Sequence, residues 1–204
     1  MAKKDKAWLH RHETDPYVQK ARAEGYRSRS VYKLLEMHER FNLFARGQTV
    51  VDLGAAPGGW SQVASRLVGE SGRVIATDIL EMDPIAGVDF VCGDFAEEAV
   101  VQRIEHLIAG AVVAVVISDM APNLSGVKAI DQPRSMYLVD LAIDLASNIL
   151  KPGGSLVVKC FEGEGIQTVR DQVKGAFGKV RNFKPAASRG KSREIYLLAE
   201  GFKG

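Results

Sequence analysis

From Gln48 onward the apolar positions of the chain alternate between two periods. Short β-branched runs read as strands buried on both faces: TVVDL (49–53), RVIATD (73–78), VDFVCGD (88–94), VVAVVISD (112–119) and SLVVKCF (155–161). Segments 59–68, 95–109, 134–150 and 165–176 place their apolar residues at helical spacing between those runs. Such alternation predicts an α/β chain of parallel strands joined by helical crossovers, a doubly wound sheet. Two further strands are predicted near 178–184 and 193–200. Only PAASRGKSR separates them, which suits an antiparallel C-terminal hairpin and brings the sheet to seven strands. Upstream, Val31, Leu34, Leu35 and His38 mark one face of a helix, with Ser28 or Ser30 as its cap. Residues 1–15 are polar and aperiodic, an arm. No repeat or low-complexity linker interrupts the chain. One domain over 1–204 is expected, a basic arm and helix to about residue 46 leading into a core from about residue 47.

Composition changes this picture little. With 46% hydrophobic and 25% charged residues, the 204-residue chain has the makeup of an ordinary globular protein with a full core. The opening MAKKDKAWLH lacks the apolar stretch of a secretory signal, and the longest apolar run, Leu107–Ile117, falls far short of the ~20 residues that span a bilayer. Cys92 and Cys160 stand far apart, without CxxC or Cys/His spacing, and read as thiols of a reducing compartment rather than metal ligands. The expectation is a cytoplasmic monomer with no metal and no membrane association.

Charge says more, because it is uneven. Residues 1–33 carry a net +5, residues 174–204 a net +6, and residues 34–173 a net −9. Basic ends on an acidic body suit a polyanion gripped by both termini, provided the fold brings them together. Solvated basic tails would give the same count.

The first strand runs into a glycine-rich turn and a helix, VVDLGAAPGGWSQ. Gly54 permits the tight turn, and Gly58 and Gly59 let a ligand approach the backbone at the helix start. A phosphate-gripping Walker A loop needs GK[ST] where Gly59-Trp60 stands, and the spacing G-x-x-x-G-G is not the dinucleotide GxGxxG. Four successive strands end in acid instead: Asp52, Asp78, Asp94 and Asp119. Asp78 stands where such folds hold ribose hydroxyls, and Asp94 offers an acceptor for an adenine amine with Phe95 beside it. Taken singly, each reads as a solvated turn or a helix cap. Together they form an acidic rim suited to a cationic, adenosine-bearing ligand without phosphate, a description that S-adenosylmethionine meets.

One residue of the fifth run is a misfit. Lys159 follows SLVV, and a lysine on a buried strand is costly unless paired or used. On composition alone it reads as salt-bridged. Yet VVDLGAAPGGWSQ, SDMAPNLSG, GGSLVVKCFEGEG and SREIYLLAEG, in that order, together resemble the FtsJ-type ribose 2′-O-methyltransferases. The likeness runs from about Trp8 to Gly201 and is strongest to the bacterial members acting on a uridine of 23S ribosomal RNA. DLGxxPGG alone is shared more widely among methyltransferases. The resemblance implies a class I, Rossmann-like methyltransferase fold, S-adenosylmethionine as cofactor and a Lys-Asp-Lys-Glu tetrad. SRSVYKLLE supplies Lys33, SDMAP supplies Asp119, VVKCFEGEG supplies Lys159 and SREIY supplies Glu194. For the cofactor it implicates Gly58, Trp60, Asp78, Asp94 and Asp119. As substrate it implies the A-loop of large-subunit ribosomal RNA within the assembled 50S particle. The departures, Cys160 in the fifth-strand motif and a variable basic arm, touch no tetrad position.

Methyl transfer to a hydroxyl demands alignment of oxygen, carbon and sulfur, a positioning task, and a base near a weakly acidic ribose hydroxyl. Lys159 accepts that proton only as the neutral amine. An apolar strand and the charges of Lys33 and a sulfonium favour that form, while Asp119 and Glu194 oppose it. Asp119 is then expected to position Lys159, Lys33 to orient the hydroxyl, and Glu194 to hold a lysine or a ribose hydroxyl. Without the resemblance, Lys33 reads as an exposed helix lysine and Glu194 as a partner of Arg193 or Lys191. RNA phosphates are expected at Lys3, Lys4, Lys6, Arg11, Arg27 and Arg29, and at Lys184, Arg189, Lys191 and Arg193. A transfer-RNA methyltransferase and an RNA-binding factor without turnover are the other readings. The compact chain weighs against the first, the complete tetrad against the second.

Overall fold

The computed structural model describes residues 13–204, so most of the expected arm lies outside the described residues. Among the described residues the first full element is a helix absent from the periodic reading, α1 (Pro16–Ala23). Its signals are local: the Asp15 carboxylate accepts from the Tyr17 N–H at 3.0 Å, and Pro16 occupies a first-turn position where an N–H is dispensable. Only Val18 and Ala21 of α1 are buried, too few to show as a period. In α2 (Val31–Phe41) the buried face is Val31, Tyr32, Lys33, Leu34 and Met37, while Leu35 and His38 are half-buried. Ser30 sits at the cap position without a side-chain capping bond, because its hydroxyl and that of Ser28 bond each other at 2.7 Å.

The remaining elements are β1 (Thr49–Leu53), α3 (Gly59–Val68), β2 (Arg73–Asp78), β3 (Val88–Cys92), α4 (Glu98–Ile108), β4 (Val113–Ser118), α5 (Lys128–Ile149), β5 (Leu150–Phe161), α6 (Ile166–Ala176), β6 (Phe177–Phe183) and β7 (Glu194–Phe202). Helix α5 starts six residues before the expected 134, with Pro133 inside it. The Asp131 carboxylate secures that first turn by accepting from the N–H groups of Ser125 and Gly126. Strand β5 starts at Leu150 rather than Ser155. Leu150 pairs with Val113, then the register slips over 151–154 until Ser155 meets Val115.

The seven strands lie in the order β3-β2-β1-β4-β5-β7-β6, all parallel to their neighbours except β7, which is antiparallel to both β5 and β6. The expected hairpin is thus present, with its second strand inserted next to β5. This is the seven-stranded class I methyltransferase arrangement. Alternate residues of the strands face opposite cores. Val51, Leu53, Leu156 and Val158 pack with Ile104, Ile143 and Val169 of α4, α5 and α6. Val50, Val74, Val157 and Leu198 pack with Leu34 and Met37 of α2 and Val63 of α3. Chain order reverses between β1 and β4, and the carboxyl edge at that switch is where open α/β sheets bind ligands.

Candidate functional site

The β5–β7 register places Lys159 opposite Tyr196 and Phe161 opposite Glu194. Opposed residues share a face, so Lys159, Tyr196 and Glu194 project to the side covered by α2. Helix α2 brings Lys33 down from above, and β4 delivers Asp119 from its carboxyl end. The four expected tetrad residues meet in one cluster. Lys33 Nζ lies 2.7 Å from Glu194 Oε1 and 3.9 Å from Asp119 Oδ1. Lys159 Nζ lies 3.2 Å from Asp119 Oδ1 and donates to the Asp119 backbone carbonyl at 2.9 Å. Both lysine side chains are only about a tenth exposed. Two ammonium groups face two carboxylates, which answers how a strand lysine is tolerated here: it is paired.

A fifth residue belongs to the cluster that sequence reasoning did not name. The Tyr196 hydroxyl donates to Asp119 Oδ1 at 2.5 Å and accepts from Lys33 Nζ at 3.0 Å. Burial first, then the charges of Asp119 and Glu194, push this phenol well above its ordinary value, so it stays protonated as a donor. For Glu194 burial would raise the carboxyl. The ammonium groups of Lys33 and Lys159 outweigh it and hold Glu194 below the usual range.

Along the carboxyl edge the acidic rim is present, with each member differently engaged. Asp52 is buried and accepts from the Ser61 hydroxyl at 2.6 Å; burial, against that hydrogen bond and with the charges of Asp119 and Asp78, raises its carboxyl to about 7. Asp78 accepts from Ala56 N and Leu80 N, both at 2.8 Å, one on each oxygen. Each of its oxygens keeps acceptor capacity for a hydroxyl. Asp94 is exposed and accepts from Ala96 N at 2.9 Å.

Three expectations need correction. Phe95 is buried in the core, where its ring cannot lie beside an adenine. At Gly58 and Gly59 the space of a side chain is filled by protein: a Cβ would come within 2.6 Å of Ile85 Cδ1 at Gly58 and 2.3 Å of Ser28 Oγ at Gly59. These glycines let the β2–β3 loop and the N-terminal segment close onto the turn, and at Gly58 φ of 102° also excludes most side chains. The third concerns the basic candidates. Arg27 turns its guanidinium onto the carbonyls of Pro57, Asp83 and Pro84, at 3.2, 2.6 and 2.8 Å, and Arg29 pairs with Asp15 and the Ala187 carbonyl. Neither is a free phosphate ligand. Lys184 bonds the Ser192 carbonyl at 2.6 Å, shaping the β6–β7 loop. Arg189, Lys191 and Arg193 are exposed on that loop, and Lys3, Lys4, Lys6 and Arg11 lie outside the described residues.

Trp60 also departs from a simple ligand contact. Its ring is 3% exposed, its Nε1 donates to the Ser30 carbonyl at 2.9 Å, and it packs 5.8 Å from the Tyr196 ring. Its backbone N–H stands in the first turn of α3, where it has no partner within the helix. Ser118 Oγ and Thr77 Oγ1 are buried without partners at the carboxyl ends of β4 and β2. Among the described residues, an edge carrying several carboxylates suits a cationic nucleoside ligand better than a pyrophosphate.

Comparison with known proteins agrees with this chemistry. The model of the FtsJ-like methyltransferase family matches residues 26–202. The chain is 56% identical over 203 residues to the ribosomal RNA large subunit methyltransferase E of Pseudomonas aeruginosa strain PAO1, covering 100% of this chain and 98% of that one. To the protein of the same name from Pseudomonas fluorescens strain Pf0-1 it is 55% identical over 197 residues, covering 97% and 94%. The crystal structure of a ribosomal RNA methyltransferase from Plasmodium falciparum superposes with a TM-score of 0.78 at 29% identity, covering 88% of this chain and 100% of that one. An rRNA-methylase structure from Clostridium thermocellum, at 22% identity and a TM-score of 0.58, shares the fold. With the family match spanning most of its length, this chain belongs to the FtsJ-like methyltransferases and is an S-adenosylmethionine-dependent enzyme.

Proposed function

We propose that the protein methylates the 2′-hydroxyl of a uridine in 23S ribosomal RNA, in the A-loop of the assembled large subunit, acting as a cytoplasmic monomer. The observation that carries this reading is the Lys33–Asp119–Lys159–Glu194 cluster, closed by Tyr196, at the carboxyl edge of the sheet. Near-full-length likeness to proteins named for ribosomal RNA methylation supports the substrate class.

S-adenosylmethionine would be held by Asp78, Asp94, Asp119 and the backbone N–H of Trp60, and would supply an electrophilic methyl group when bound. This chain's residues then deal with the hydroxyl. Lys159, as the free amine, would take the 2′-hydroxyl proton onto Nζ, which readies the ribose oxygen as the nucleophile. Asp119 aims Nζ through its carbonyl and its carboxylate. Lys33, fixed by Glu194 and Tyr196, would stabilise negative charge growing on the oxygen.

Ribose methylation mapped on ribosomal and transfer RNA tests this in a strain lacking the gene. One 23S uridine should lose its 2′-O-methyl group and regain it with the wild-type gene but not with Lys159→Ala. Loss of a transfer-RNA mark instead, or rescue by Lys159→Ala, would sink the reading.

A further inference from the structure

Next to the tetrad lies a cavity of about 300 Å³ whose walls come from three places. Leu124, Gln132 and Ser135 belong to the β4–α5 loop and the start of α5, Phe161 ends β5, and Lys191 and Arg193 stand on the β6–β7 loop. Phe161 is two residues beyond Lys159 on the same strand face, and the Lys159 ammonium is 5.9 Å from the centre of its ring. The cavity therefore begins within a nucleoside's reach of the proposed proton acceptor.

Its chemistry suits a nucleotide. Lys128, Lys191 and Arg193 give a cationic rim. Among the described residues the one carboxylate in its wall, Asp131, is engaged by the loop, accepting from Ser125 N and Ser125 Oγ at 2.8 Å and from Gly126 N at 2.9 Å. A cationic rim over an aromatic and aliphatic wall is the combination that holds phosphates and stacks unpaired bases. Gln132 adds hydrogen bonding of one sense. Its Nε2 donates to the carbonyls of Phe161 at 3.3 Å and Glu164 at 2.8 Å, which fixes the amide orientation. Its Oε1 is buried without a partner, a costly state for an acceptor. The turn over that oxygen is exposed and has positive φ at Gly163 and Gly165; a Cβ at Gly163 would come within 2.7 Å of Oε1.

Building on the ribose-methylation reading, we propose that this cavity receives the base of the nucleotide being methylated and that Gln132 Oε1 accepts its ring N–H. The base stacks on Phe161 against Leu124, and Lys191 takes a flanking phosphate. The glycine-bearing 162–165 turn, to which Arg193 is tied through the Glu162 carbonyl, moves off Oε1, giving up the Glu164 carbonyl while the Phe161 carbonyl still holds the amide. Uracil presents N3–H at that position. Cytosine presents a lone pair there, so two acceptors would face each other, and Gln132 is thereby a specificity-determining residue for uridine over cytidine.

The test uses large subunits from a strain lacking the gene, with U or C at the methylated position. Wild type should favour U by at least about tenfold in kcat/KM. Gln132→Leu should bring that ratio within about threefold by losing activity on U, with cofactor affinity by calorimetry within about twofold as the check on folding. Lys191→Glu, at an exposed position, should weaken subunit binding at least about fivefold and flatten its salt dependence. A wild-type U-to-C ratio in folded Gln132→Leu, or unchanged subunit affinity in Lys191→Glu, overturns the cavity assignment alone. Should wild type methylate neither subunit, the ribose-methylation reading fails and the cavity assignment with it.

Discussion

Tyr196 and Asp119 share a 2.5 Å hydrogen bond in which the phenol is the donor, and the same phenol oxygen accepts from Lys33. The hydroxyl thus ties the two halves of the tetrad together, since Lys33 and Asp119 are otherwise 3.9 Å apart. Tyr196→Phe removes that link and keeps the ring packed against Trp60. A hydrogen bond to a charged group is worth about 1.5–3 kcal/mol. The expected outcome is a tenfold to hundredfold slower single-turnover methyl transfer, at about 1.4 kcal/mol per tenfold, with cofactor affinity unchanged. A wild-type rate would show that the link has no part in the reaction.

Lys159 has two possible duties, holding Asp119 by charge and taking the proton, and two substitutions separate them. Lys159→Arg keeps a cation that cannot lose its proton, whereas Lys159→Met loses both functions. If proton acceptance is the essential duty, both variants fall at least about a hundredfold in rate while still binding cofactor. An arginine variant retaining a tenth of the activity or more would leave Lys159 with an electrostatic role only.

Four of the cluster's five residues are legible in the sequence because their motifs are ordered and each sits at a strand end or in a helix beside one. Tyr196 is not. In EIYLLAEGF it looks like another strand apolar residue, and only the insertion of β7 between β5 and β6 sets it opposite Lys159. A predicted hairpin does not say which of its strands joins the sheet. Arg27 and Arg29 were open to misreading for a different reason: charge counting registers cations but not the backbone carbonyls that surround them. Within the described residues the N-terminal segment meets the C-terminal hairpin, through Arg29 to the Ala187 carbonyl and Glu36 to the Ala186 N–H.

Arg27 bridges the glycine-rich turn and the β2–β3 loop, the two segments that flank Asp78, through three backbone carbonyls. A lysine has a single nitrogen and cannot span them. Arg27→Lys should therefore weaken S-adenosylmethionine binding about five- to tenfold by calorimetry, the equivalent of about one hydrogen bond. RNA affinity should keep its salt slope, because no phosphate contact is lost. The opposite pattern, a slope reduced by about one with cofactor affinity intact, would return Arg27 to the phosphate ligands.

Asp52 makes stability depend on pH in a direction opposite to that of a salt-bridged carboxylate. Its carboxyl rises from 3.8 to about 7 in the folded chain, burial being the chief cause. Between about pH 4 and pH 7 the folded protein holds a proton that the unfolded chain has released, so the Asp52 contribution falls as pH rises through that window and levels off above it. At about 1.4 kcal/mol per unit, the loss amounts to something on the order of 4 kcal/mol at most. Asp52→Asn has no such proton, and its amide oxygen can still accept from Ser61. Urea unfolding of both proteins at pH 4.5, 6 and 7.5 should show the variant gaining on wild type as pH increases, whatever constant offset the amide introduces. A difference that stays level or shrinks with pH would mean that Asp52 is ionised in the fold throughout, with its charge compensated by neighbours other than Ser61.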